Sequence, residues 1–135
     1  MDFLTETQDL NWLAVLVSAF STFFIGGIWY TVFEKGWMNS NGFTKSYLEK
    51  RKMPFVFGFS FLLSFLMALN LAIFIGKENY MFGMIAGFMA GFGWVALAIG
   101  IIALFENRPL KYVLINGGYM VIAFTVMGAI LGAWK

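Results

Sequence analysis

The chain has 135 residues, of which 61% are hydrophobic and only 12% charged, with a formal net charge of +2. A soluble domain of this size needs a polar skin and carries about 25% charged residues, so a water-soluble globule is excluded and lipid must replace water over much of the surface. Cysteine and histidine are both absent, which removes disulfides, thiol and imidazole nucleophiles and most zinc sites.

The N-terminal stretch is acidic, with Asp2, Glu6 and Asp9. It lacks the positive n-region of a secretory signal, so the first apolar segment is expected to stay as a membrane helix. A helix needs roughly 20 mostly apolar residues to cross the hydrocarbon of a bilayer. Four stretches qualify, at about residues 12–30, 55–75, 80–105 and 110–134, and none has a charge in its interior. The runs are continuously apolar, without the alternation of a membrane β-barrel. The predicted fold is therefore an all-α integral membrane protein, a single four-transmembrane-helix bundle over residues 1–135.

The connections differ in length. "GKEN" and "ENRP" are tight turns that make consecutive helices antiparallel neighbours. Gly76 suits a helix C-terminus and Pro109 a helix start. The long loop, residues 31–54, opens with Glu34, Lys35, Trp37 and Met38, and "NSNG" reads as a turn. In "FTKSYLEKRK", Phe43, Tyr47 and Leu48 share one helical face and Lys45, Glu49 and Lys52 another, with Thr44 as a cap. This pattern predicts a short interfacial helix with its basic face toward anionic lipid.

Lys35, Lys45, Lys50, Arg51, Lys52, Arg108 and Lys111 fall on one side of such a bundle, against Lys77 and Lys135 on the other. The bias assigns the long loop to the cytoplasm and both termini to the outside. Aromatic rings with a polar edge favour the headgroup level. Trp29, Tyr30, Trp37 and Tyr112 are placed there on the inner side, and Trp12, Tyr80 and Trp134 on the outer side. The basic residues read as topology and give no indication of nucleic-acid binding.

Within the spans the most specific pattern is "GMIAGFMAGFGW". Gly83, Gly87 and Gly91 recur every four residues, a small-residue face that permits close helix approach, within one chain or between chains. Trp94 is expected to pack over these glycines, the alternative being a ligand contact. Gly26-Gly27 and Gly117-Gly118 offer matching surfaces. Asn70, near the outer end of the second helix, and Asn116, near the inner end of the fourth, either bond helices together or line a small cavity. Glu106 at the inner border pairs with Arg108 or Lys111, or serves as a coupling carboxylate.

"NWLAVLVSAFSTFFIGGIWYTVFEKGWM" resembles the opening of a bacterial membrane-protein family designated domain of unknown function 1761, through Asn11, Trp12, Gly26, Trp29, Tyr30, Lys35, Trp37 and Met38. "FENRPLKYVLINGGYMVIAFTVMGAILGAW" resembles its closing helix, through Arg108, Pro109, Asn116, Gly118, Tyr119 and Gly128. The chain differs at Thr31-Val32, where the family has Ser-Pro, and at Glu34, where it has Gly. The resemblance implies the fold and a bacterial inner membrane, and it implies no reaction.

The expectation for function is a non-enzymatic scaffold or accessory subunit without cofactor or metal. It packs against itself or a membrane-protein partner and contacts membrane lipid. The alternative is a small-molecule or ion permeation protein acting as an oligomer.

Overall fold

A computed structural model describes residues 10–135. Asp2, Glu6 and Asp9, to which the sequence assigns an exported tail, lie outside the described residues. Four helices long and apolar enough to cross a membrane account for most of the described chain. Helix α1 runs Trp12–Val32. Its cap, Asn11, accepts from the Ala14 N–H at 3.1 Å and donates to the Trp134 carbonyl at 3.3 Å, so one side chain starts α1 and fixes the far end of the last helix.

The long loop is more helical than the sequence suggested. Helix α2 spans Glu34–Asn41. It carries on through Asn39, Ser40 and Asn41, where a turn was expected, because side chains close its last turn. Ser40 Oγ and Asn41 Nδ2 both donate to the Trp37 carbonyl. The chain reverses one residue later, at Gly42, whose φ of 71° favours glycine. Helix α3 covers Lys45–Glu49, with Thr44 Oγ1 accepting from the Tyr47 N–H.

Helix α4, Met53–Ile75, carries Pro54 in its first turn, where no N–H is needed, and stops at Gly76 with φ 59°. The third long helix is continuous from Tyr80 to Phe105 but not uniform. It comprises α5 (Tyr80–Ala90), a wide π-helical turn over Gly91–Ala96, and α6 (Leu97–Phe105). In the wide turn the Leu97 N–H reaches the Phe92 carbonyl, five residues back. Helix α7, Leu110–Ala133, begins after Pro109.

The fourth long helix, α7, is the hub. It packs against all three other long helices and against α2, and most extensively against α5. Helices α1 and α4 lie side by side through Phe20 on Phe61, with ring centroids 4.9 Å apart, and Phe23 on Phe61, 5.8 Å apart. A buried apolar cluster joins Ala14 and Val15 of α1, Ala68, Leu71, Ala72 and Ile75 of α4, and Phe124, Met127 and Leu131 of α7. Ala14, Ala68 and Ala72 bring the helices close there, and Leu71, Ile75, Phe124, Met127 and Leu131 fill the space between them. Many other large side chains point outward: Phe24, Ile28, Leu104 and Phe105 are all exposed. An apolar surface of that extent requires a non-aqueous surround.

Candidate functional site

Three arrangements bear on function: a glycine seam, a polar knot and an open groove. The seam lies between α5 and α7 of one chain. A Cβ added at Gly83 would collide with the Gly128 carbonyl oxygen, one at Gly87 with the Phe124 carbonyl oxygen, and one at Gly128 with the Gly83 carbonyl oxygen. A Cβ on Gly91 would stand 2.9 Å from the Met120 oxygen, and one on Gly132 would stand 2.6 Å from the Asn79 oxygen. Backbone thus lies directly on backbone, which maximises dispersion and brings Cα–H groups to carbonyl oxygens.

The wide turn extends this seam. At 100° per residue, a spacing of four overshoots a full turn by about 40°, so a four-residue stripe drifts around an α-helix. Widening the turn after Gly91 returns Ala96 to the seam. A Cβ on Gly117 would sit 3.2 Å from the Ala96 Cβ. Ala103 is buried further along the same helix.

Trp94 does not join the seam. It is 73% exposed and points away from α7, so the expected packing over the glycines is absent. The physical reason is contact distance: the carbonyls and Cα atoms of α7 already occupy the space above Gly83, Gly87 and Gly91, leaving no room for an indole.

The polar knot joins α1 to α7 toward the long loop. Trp29 Nε1 donates to the Ile115 carbonyl at 2.7 Å, and the ring covers Gly118, where a Cβ would stand 2.9 Å from Trp29 Cζ2. Tyr30 Oη donates to Asn116 Oδ1 at 2.6 Å, and Tyr119 Oη donates to the Thr22 carbonyl at 2.9 Å. The Tyr30 and Tyr119 rings meet edge to face with centroids 5.3 Å apart. The sequence assigns the polar edges of Trp29 and Tyr30 to the headgroups. Their N–H and O–H turn inward instead, because α7 offers them a carbonyl and an amide. Ser18 Oγ, fully buried deeper along α1, has no partner among the described residues.

The other border aromatics are arranged differently. Trp37 is half-buried between Tyr30 and Phe43 and lies near the Arg51 guanidinium, 6.0 Å from its ring. Arg108 stands 5.4 Å over Tyr112, and its Nη1 reaches the Asn41 carbonyl at 3.5 Å, tying the loop to the last turn. Trp12, Tyr80 and Trp134 are exposed at the opposite end. There Lys135 Nζ donates to the Gly76 carbonyl at 2.7 Å. Desolvation holds the Lys135 ammonium below its ordinary pKa, with Glu78 acting against that shift.

The polar residues singled out in the sequence are not brought together. Glu106 pairs with Arg108 at 3.9 Å on the surface. Asn116 is engaged by Tyr30. Asn70 stands near the other end of the bundle, exposed, with Nδ2 donating to the Leu66 carbonyl of its own helix at 3.0 Å. It lines the third arrangement, a groove of about 910 Å³ between α4 and the third long helix, where these two helices meet only sparsely. Phe74, Met89, Gly93 and Trp94 form its walls and Phe124 of α7 its floor. Among the described residues no group of acidic, histidine or cysteine side chains could hold a metal ion.

Neither the curated proteins nor the solved structures contain a match to this chain. A family profile matches residues 13–132, which takes in all four long helices, the seam, the knot and the groove. The chain belongs to the family described as "Protein of unknown function (DUF1761)".

Proposed function

We propose that this membrane protein is a non-enzymatic packing subunit, a scaffold or accessory chain that associates with itself or with a membrane-protein partner. Its setting is a bacterial cytoplasmic membrane, with both termini outside. The observation that supports this reading is the employment of its polar groups. Tyr30, Trp29, Tyr119 and Asn116 are all bonded between helices, and Glu106 is paired at the surface. None is left poised for chemistry. Meanwhile the outer faces of α1, α4 and the third long helix remain broadly apolar and accessible.

Cross-linking in native membranes, followed by mass measurement in lipid nanodiscs, tests the reading. It predicts a defined complex, either of like chains or with a partner protein, that survives mild extraction. A chain that stays monomeric in both settings contradicts it. For orientation, Ser46→Cys in the loop should resist a membrane-impermeant thiol reagent in intact cells, and Glu78→Cys should react. The competing reading is permeation through an oligomer. Against a polar route within one chain stands the separation of Asn70, Asn116 and Glu106. Glu106→Gln is accordingly expected to leave solute fluxes unchanged.

A further inference from the structure

The groove between α4 and the third long helix carries an inference that is independent of the packing-subunit reading. It is concave, apolar, and floored by Phe124. Its volume of about 910 Å³ falls within the roughly 300–1,000 Å³ typical of small-molecule sites. One polar side chain interrupts it. Asn70 directs one N–H to its own helix, and among the described residues nothing pairs with its Oδ1. An amide carbonyl facing hydrocarbon is costly unless it accepts a hydrogen bond. No charged residue lines the groove, so a phosphate or carboxylate head would find no counter-ion there.

Asn70 lies five residues before the end of α4, about 8 Å below the helix end. Trp94 lies about 13 Å deeper along the neighbouring helix. The groove therefore offers a hydrogen-bond acceptor in its outer third and a long apolar track below it. A second copy fits poorly. A two-fold interface sets the same patch against itself, and two facing grooves enclose a void rather than fill one.

We infer that this groove binds a neutral membrane lipid with a single slender chain and a hydroxyl head. The hydroxyl donates to Asn70 Oδ1, and the chain runs past Met89 and Gly93 to Trp94.

Trp94 provides the readout. The full chain, reconstituted in phosphatidylcholine vesicles, is titrated with a monoacylglycerol brominated on its chain, and separately with the brominated methyl ester, which lacks hydroxyls. The signal is the quenching lost in Trp94→Phe. The expected result is saturable quenching by the monoacylglycerol, with half-saturation about fivefold below that of the ester, the factor one hydrogen bond contributes. Asn70→Leu should erase the difference between the probes without unfolding the protein, since the amide it removes bonds only to the Leu66 carbonyl of its own helix and joins no two helices. Gly93→Leu, placed where an added Cβ meets nothing within 4 Å, should fill the track and reduce quenching by both. Quenching that rises linearly and equally for the two probes would mean boundary lipid only and would overturn the inference. Absence of quenching together with a dimer mass would mean that a second copy covers the groove, and would overturn it equally.

Discussion

The two faces of the third long helix solve opposite problems with the same residue types. On the face toward α7, Gly83, Gly87 and Gly91 lie against carbonyl oxygens and Cα atoms, and no side chain fits between. On the face toward α4, Gly93 meets nothing within 4 Å and a groove remains open. A glycine in a membrane helix therefore does not by itself mark a contact. What stands opposite decides: the α7 backbone on one face, an open groove on the other.

The largest effect should come from Gly87→Leu. A leucine has to displace the Phe124 backbone, which has no flexible end to move. Overpacking ordinarily costs about 1–3 kcal/mol, and this site belongs at or above the upper limit. Unfolding in mixed micelles should show that loss while subunit number stays constant, because the seam joins helices of one chain. A shift of the oligomer toward monomer with unaltered stability would move the seam to a subunit interface.

Gly83→Ala and Gly128→Ala probe a shared contact from both sides, each colliding with the other's carbonyl. Each should cost about 1–3 kcal/mol. The double variant should cost less than the sum, because helices already pushed apart by one methyl admit the second. Additive losses would mean that the two glycines report on separate contacts.

A smaller effect is expected from Tyr30→Phe. It removes the hydroxyl donated to Asn116 and should cost about 0.6 kcal/mol, the average for hydrogen bonds between membrane helices. Asn116→Leu should cost a similar amount, and combining the two should add little. A Tyr30→Phe loss above about 2 kcal/mol would indicate a wider network than the pair.

Much of this architecture is legible in the sequence, for identifiable reasons. Charge-free runs of some twenty residues specify helices whatever their neighbours, and the fourfold glycine spacing marks a face for close approach. The wide turn leaves no such trace. It depends on what α7 presents to Gly91 and Ala96, and a periodic pattern cannot report that. The inward rotation of Trp29 and Tyr30 is equally hidden, since an aromatic at a helix end suits a headgroup and an interhelical carbonyl alike. Tyr119, which enters the sequence reading only through the family resemblance, completes the knot with Thr22. Their signal was polarity within two apolar spans, the same signal that drew attention to Asn70 and Asn116. The outward stance of Trp94 follows from tightness in the seam, which only the relative placement of two helices reveals.

The contrast within the third long helix is tested most directly by one matched pair, Gly87→Ala and Gly93→Ala, compared by reversible unfolding in the same lipid mixture. Both changes add one methyl and improve helix propensity by a similar amount. The account predicts that Gly87→Ala loses about 1–3 kcal/mol, because its methyl strikes the α7 backbone. Gly93→Ala should be neutral or more stable by up to about 1 kcal/mol, because its methyl enters open space. Equal changes at the two positions would contradict the account, since both faces would then be packed alike or both would face lipid.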